Sequence, residues 1–423
     1  MIIQDFSFGN FRSFKEIQTL SLTKAKLTAK KDKVLEESHT FVHQRDVFLK
    51  SKAIYGANAS GKSNLVKALS VFLKIISQSL KNEKVLELIN SFRLSADSME
   101  RPSFFQMIFW IDETKYRYGF EATDKAIQSE WLYEKKGKKE TCYFIRENQA
   151  ISYLNETLFK EGDIYLGLAQ QEEGNKEFLS PTSLFLKMLT SFPFAKISKA
   201  IVEGFERIKV LSGLGTPEMT AYAREALRVP AKKSFMLEML KRGDTAVEKL
   251  GFLELDNDNT EGLEAPKKRS VLLSAKKLNR VDTDKIPLSL FAFEEYESEG
   301  TQRLFEYAAY LYDALHQGNV LIIDQFDSQL HPLLAKRLVD LFNSAANTHS
   351  QIIFVTQNTQ LMEENLLRRD QIAFVEKDRQ GGSHLYCLAE IKGVKTEAHQ
   401  REYLCGRYGA TPVVGDFKEL FEI

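Results

Sequence analysis

The stretch "GANASGKSN", Gly56 to Asn64, carries Gly-x4-Gly-Lys-Ser in register at Gly56, Gly61, Lys62 and Ser63. Each residue type has a physical reason to be there. The glycines let backbone N–H groups wrap a phosphate, Lys62 neutralises β- and γ-phosphate charge, and the Ser63 hydroxyl is a ligand for Mg²⁺. Asn58, Ala59, Ser60 and Asn64 complete the loop as nucleotide-contact candidates. "AIY" before it, Ala53 to Tyr55, reads as a short buried strand, while Leu65, Leu69, Phe72, Leu73 and Ile76 after it recur at helical spacing. The loop is therefore expected between a strand and a helix, with the helix N-terminus aimed at an anion.

Working outward, "LIIDQFD" supplies the second half of a nucleotide site. Val320 to Ile323 form a continuous apolar run, which suits a strand buried on both faces of a parallel sheet. Asp324 would emerge at its carboxyl end and hold a Mg²⁺-bound water. The next residue, Gln325, is an amide where hydrolysis calls for an acid. A further strand, "IIFV", leads into Thr356, Gln357 and Asn358. In "ESEGTQRLF", Ser298, Gly300 and Gln302 open a helix whose apolar face is Leu304, Phe305, Ala308, Leu311, Tyr312 and Leu315. This is a second helix N-terminus able to face an anion. His331, before Pro332, reads as a helix-start residue.

Composition limits the function classes. With 423 residues, 43% of them hydrophobic, the chain can bury a sizeable core, and its 58 basic and 58 acidic residues cancel. No overall field drives it onto nucleic acid or an anionic membrane. Nucleic-acid contact would rest on local lysine clusters at 24–33, 134–140 and 267–277, each beside loop-forming residues. Cys142, Cys387 and Cys405 are too scattered for a zinc knuckle or disulfide framework, and the seven histidines offer no metal-ligand spacing. The N-terminus lacks signal-peptide features and no apolar run is long enough for a membrane span. A cytoplasmic protein is expected.

Three regions are expected. Residues 1–154 would hold the phosphate loop and a β-rich lobe, since 80–150 alternates apolar and polar in pieces such as "SFFQMIFWID". Residues 155–285 read as a compact helical insertion: Ile197, Ile201, Phe205 and Ile208 share a face, and "SFMLEMLKRGDTAVEKL" continues after Pro230. No heptad run supports a long coiled coil. Residues 256–270 read as a mobile loop, and 286–423 complete the nucleotide site.

The order "NFRSF", "GANASGKSN", "SEGTQRLFE", "LIIDQFDSQLHP", "VTQN" resembles the ABC-type heads of SMC and recombination-repair ATPases. The detail of "LKSKAIYGANASGKSNLVKAL", "YRYGFEATDKAIQSEWLYE" and "YLCGRYGATPVV" resembles the RloA- and AbiL-type AAA-family ATPases of bacterial anti-phage defence and abortive infection. The likeness spans both ends and is weakest over 150–285. It implies an α/β P-loop NTPase of ABC/SMC-head type that binds ATP with Mg²⁺ and pairs into a homodimer or higher oligomer through its ATP sites. It also implies control of a separate effector, a nuclease or toxin. Ser298, Gly300 and Gln302 would then be read by the nucleotide of the other subunit, Asp327 would lie at the dimer seam, and Arg12 and Ser13 beside the nucleotide. Two positions depart from the family pattern: Gln325 stands where it has a glutamate, and Gln357 where a histidine touches the γ-phosphate. An amide preserves shape but cannot take a proton, so ATP binding should survive while hydrolysis is crippled. One amide in an otherwise intact site reads as an engineered exchange rather than decay. The alternative reading is an SMC-like DNA-repair ATPase that clamps DNA; the absence of long arms and the zero net charge weigh against it.

Overall fold

The computed structural model describes residues 1–418 apart from 138, 166, 168–178, 256–268, 279–287, 364 and 395–397. Its described strands are β1 (Ile2–Gly9), β2 (Gln18–Ser21), β3 (Thr40–His43), β4 (Asp46–Leu49), β5 (Ser51–Tyr55), β6 (Ser103–Ile111), β7 (Thr114–Ala122), β8 (Ile127–Lys136), β9 (Lys139–Glu147), β10 (Ala150–Leu154), β11 (Ile208–Ser212), β12 (Lys249–Leu255), β13 (Arg269–Lys277), β14 (Leu288–Ala292), β15 (Val320–Asp324), β16 (Gln351–Val355), β17 (Ile372–Lys377) and β18 (Ser383–Cys387).

Two compact units divide the chain, 1–210 with 318–324 and 339–423, and 211–317 with 325–338. The first unit is built on two sheets. One runs β10-β9-β8-β7-β6-β1-β2 with antiparallel pairing between β1 and each of its neighbours and along β6 to β10. The other runs β11-β15-β16-β5-β17-β18, in which β15, β16, β5 and β17 are parallel and β18 turns back antiparallel. Every residue of β5 is buried, as a strand with parallel neighbours on both sides requires. Its polar members are satisfied: Ser51 Oγ donates to Asn343 Oδ1 at 2.9 Å and Lys52 Nζ to the Asp370 carbonyl at 2.6 Å.

The helix Lys62–Gln78 lies in the core with both sheets. Leu65, Leu69, Phe72, Ile75 and Ile76 join one cluster with Phe6, Phe105 and Phe120 of the antiparallel sheet and Ile322, Ile353 and Val375 of the parallel one. Phe72 sits at 5.5 Å from the ring of Phe6, 5.6 Å from Phe120 and 5.4 Å from Phe205. Truncating such a residue to alanine costs about 3–5 kcal/mol.

The boundaries expected from sequence shift here. The described residues of 155–210 are not part of an insertion but belong to the first unit: Phe159, Phe185, Ile201 and Phe205 join its core, and two buried carboxylates cap the helices there. Glu130 on β8 accepts from the Phe185 and Leu186 amides at 2.6 and 2.9 Å, capping the helix Phe185–Leu189, and is ion-paired to buried Arg146 at 3.6 Å. Glu161 accepts from the Ser198 amide at 2.9 Å and the Ser198 hydroxyl at 2.7 Å, capping Lys196–Glu206. That helix ends before Ile208, which begins β11. The β-rich lobe likewise begins at Ser103 rather than 80, because 83–88 is a 3-10 turn and Ala96–Met99 a short helix.

The second unit is not wholly helical. Beside Pro217–Ala226, Pro230–Arg242 and Glu299–Gln317 it holds the antiparallel sheet β12-β13-β14. Most of the loop expected at 256–270 lies outside the described residues. The Pro332–Asn343 helix starts as expected, with His331 Nδ1 accepting from the Leu333 amide at 3.2 Å.

Candidate active site

Gly56–Gly61 links β5 to the Lys62–Gln78 helix, and its glycines take conformations other residues avoid. Gly56 has φ +152° and Gly61 φ +114°. A Cβ on Gly56 would collide with the Val375 carbonyl of β17, and one on Gly61 with the hydroxyls of Ser383 and Ser13, the latter at 2.8 Å. Lys62 Nζ lies buried in this loop and donates to the Gly56 carbonyl at 2.7 Å and the Ala57 carbonyl at 2.8 Å. Burial lowers its pKa, with the negative charge of Asp324 pulling the other way.

A platform of hydroxyls supports the loop from outside. Ser13 Oγ accepts from Asn64 Nδ2 at 2.9 Å, the Ser13 carbonyl accepts from the Ser383 amide at 2.7 Å, and Ser383 Oγ donates to the Ser60 carbonyl at 2.6 Å. Ser13 is held in place by a tight turn in which Phe11 and Phe14 exchange backbone bonds at 2.9 Å each way. Arg12, at φ 51°, donates its amide to the Asn90 carbonyl at 2.7 Å, and its guanidinium lies 5.7 Å from the Phe11 ring. Among the described residues Ser13, not Arg12, makes the hydrogen bonds to the loop.

Asp324 closes β15, two strands from β5. Its Oδ1 is buried with no hydrogen-bond partner among the described residues, and so is Ser60 Oγ. Two residues beyond β16, the strand between β15 and β5, Gln357 donates from Nε2 to Asn58 Oδ1 at 2.8 Å. An orphaned carboxylate oxygen facing a lysine and a glycine-lined loop is the donor set that ATP and Mg²⁺ require. Orphaned buried polar atoms cost stability unless something else satisfies them. The residues present fit a nucleotide and its cation, the unpartnered Asp324 oxygen being the side able to take the cation. No cluster of three His, Cys, Asp or Glu side chains elsewhere among the described residues forms a metal site.

The remaining candidates sit in the second unit. Ser298 caps the Glu299–Gln317 helix, its Oγ accepting from the Thr301 amide at 3.2 Å. Gln302 points back, donating to the carbonyls of Glu294 at 3.1 Å and Glu297 at 2.9 Å. Gly300 admits the Gln329 carbonyl, which a Cβ would meet at 2.6 Å. Gln325 is exposed at φ 54°, and Asp327 follows in the same turn, its carbonyl accepting from the Leu330 amide at 3.2 Å.

Sequence reasoning missed Ser383 and Val375. Both contact the loop from strands more than three hundred positions downstream, and neither lies in a motif. The only trace of the approach is the Gly381-Gly382 turn that delivers Ser383.

A strand, a glycine-shaped loop with a buried lysine, a helix and a strand-end aspartate define a P-loop NTPase. The chain belongs to the family described as "AAA domain, putative AbiEii toxin, Type IV TA system", whose model matches residues 53–363. No curated protein matches it. Among solved structures it is similar to an SMC head bound to the C-terminal winged-helix domain of ScpA, at 15% identity and TM-score 0.46, covering 92% of this chain and 97% of that one. It is also similar to an SMC head domain from Thermotoga maritima, at 13% identity and TM-score 0.40, covering 92% and 99%. A third is an SMC head with an extended coiled coil bound to the C-terminal domain of ScpA, from Pyrococcus furiosus, at 13% identity and TM-score 0.43, covering 91% and 96%. No described helix is long and apolar enough to cross a membrane.

Proposed function

We propose that this protein is an ATP-dimerised ATPase subunit of a bacterial anti-phage, abortive-infection system of the RloA and AbiL kind, which regulates a separate effector such as a nuclease or toxin. The observation that carries the ATP reading is the convergence of the Gly56–Gly61 loop, buried Lys62 and the orphaned Asp324 oxygen. The defence reading is supported by the family's description as an AbiEii-type toxin of a toxin–antitoxin system.

Gly56, Asn58, Ala59, Ser60, Gly61 and Asn64 shape the phosphate pocket, and Lys62 supplies positive charge to the β- and γ-phosphates. Ser63 and Asp324 hold the Mg²⁺ side. When bound, that cation supplies charge neutralisation on the phosphates. Ser298, Gly300 and Gln302 offer the helix N-terminus that covers the nucleotide of a second copy, with Asp327 at the seam, and Arg12 and Ser13 flank the nucleotide. Gln357, whose amide donates to Asn58 Oδ1 here, would offer that N–H to the γ-phosphate. Gln325 orients water without accepting its proton, so hydrolysis is slow and the ATP-bound pair long-lived.

The test is mass photometry with ATP and Mg²⁺. Pairing should appear with ATP and be abolished by Ser298→Arg, while ATP stays bound to the loop. Pairing that persists in that variant sinks the two-copy site. Co-purification from the native operon with and without ATP identifies the effector. Nuclease activity of the chain alone would overturn the regulatory reading.

A further inference from the structure

The turn after Asp324 is held in a backbone conformation that glutamine takes only when its surroundings impose it. Gln325 and Gln329 have φ of 54° and 65°. The surroundings are the first two turns of the Glu299–Gln317 helix. Gln329 Nε2 donates to the Glu299 carboxylate at 2.8 Å, and Gln329 Oε1 accepts from Arg303 Nη2 at 3.1 Å. One amide thus spans two side chains four positions apart, which share a face of the helix. Its backbone carbonyl occupies the space a Cβ at Gly300 would need.

Arg303 cannot swing away from this contact. It is buried, paired with Glu306, and donates from Nη2 to the Leu214 carbonyl at 2.8 Å, with Gly215 packed directly on its guanidinium. Glu306 is fixed in turn by the Thr220 hydroxyl at 2.5 Å. On the other side of the turn, the Tyr307 hydroxyl donates to the Phe326 carbonyl at 3.1 Å and the two rings stack at 5.8 Å. The turn itself is closed by the Ser328 amide on the Gln325 carbonyl at 3.0 Å.

We infer that Gln329 is a positioning residue: its side-chain amide locks the turn bearing Gln325 and Asp327 to the helix that starts at Ser298, so that these residues respond to nucleotide as one block. This rests on the two-copy ATP site proposed above. Without the amide, the turn and the Ser298 end of the helix keep their sequences but lose their fixed spacing. ATP held by the Gly56–Gly61 loop would then meet a cap whose parts move independently.

The experiment compares the full chain with Gln329→Gly, Gln329→Glu, and Gln329→Glu combined with Glu299→Gln. The glycine variant keeps the left-handed backbone and removes both bonds. The single carboxylate keeps the Arg303 bond and sets two carboxylates against each other. The double variant restores a donor opposite an acceptor and keeps the Arg303 bond. Amide hydrogen exchange over 298–304 and 325–330 is the direct readout. We expect exchange to rise about tenfold in both segments together in the first two variants, as loss of a charge-assisted hydrogen bond implies, and to return in the double variant. Unchanged exchange in Gln329→Gly, or no recovery in the double variant, overturns the inference. In mass photometry the ATP concentration giving half-maximal pairing should rise about tenfold in Gln329→Gly, with binding of a fluorescent ATP analogue unchanged, and recover in the double variant. If the parent chain binds ATP but never pairs, the two-copy reading fails, and hydrogen exchange alone decides the positioning role.

Discussion

Replacing Gly61 by alanine separates the two demands the phosphate loop makes on one residue. At φ +114° an L-residue is strained by about 1–3 kcal/mol. The new Cβ also displaces two hydroxyls that are already engaged, Ser383 Oγ on the Ser60 carbonyl and Ser13 Oγ beneath Asn64 Nδ2. Losing each bond costs about 1 kcal/mol net. Together these disfavour the binding geometry by about 3–5 kcal/mol, and because the loop relaxes to escape them, ATP affinity should fall at least about 100-fold. The fold should persist, since Gly61 lies outside the apolar cluster that holds the Lys62–Gln78 helix. The assay is equilibrium binding of a fluorescent ATP analogue, with thermal unfolding as a control. Adding Ser383→Gly removes the closer of the two collisions but neither the Ser13 contact at 2.8 Å nor the strain, so the double variant should recover part of the loss. Wild-type ATP affinity in Gly61→Ala would refute the role assigned to the Ser13 and Ser383 platform.

Other expectations follow from the same geometry. Gln325→Glu should raise ATP turnover by a factor on the order of 10² or more with little change in affinity, measured as phosphate release; no gain would place the limit at Gln357 or at a missing partner. Replacing 249–292 by a short linker should spare ATP binding but abolish protection in a phage challenge. A wider deletion of 160–280 would instead strip Phe185, Ile201 and Phe205 from the main core and unfold the first unit. Burial lowers the pKa of His399 from 6.5 to about 4, and its Nδ1 lies 3.2 Å from the Tyr408 hydroxyl. The unfolded chain therefore binds the extra proton first. The contribution of His399 to stability is constant above about pH 6.5 and declines as the pH falls toward 4, by no more than about 3 kcal/mol. His399→Gln should flatten that decline in pH-dependent denaturant titrations.

The residues that suggest the candidate site were legible because their chemistry is local. The Gly56–Ser63 spacing, the apolar run into Asp324 and the Ser298 helix start each depend on a few consecutive positions. What escaped depends on long-range packing. Ser383 and Val375 meet the loop only because β17 pairs with β5. The boundary at 154 looked natural because β10 ends there, yet Glu130 reaches across it to cap the Phe185–Leu189 helix, and Phe185, Ile201 and Phe205 join the core of the first unit. The sheet β12-β13-β14 was hidden by the strong helical periodicity on either side of it. Lys249 follows the Pro230–Arg242 helix by only seven residues, so Val247 and Leu250 read as its continuation.

The pairing of β5 also bears on how the protein is made. Ser51 finds its neighbour in Ile352 and Tyr55 in Phe374, so this strand has no sheet partner until β16 has been made and lacks its second until the ribosome has read past residue 374. Contacts so far apart in sequence form late. A chain interrupted midway would emerge with its phosphate-binding motif written but not shaped, and with an apolar strand that needs a chaperone's shelter. If the loop holds ATP as proposed, that competence waits on β16 and β17, and nucleotide binding would mark a chain translated past both strands.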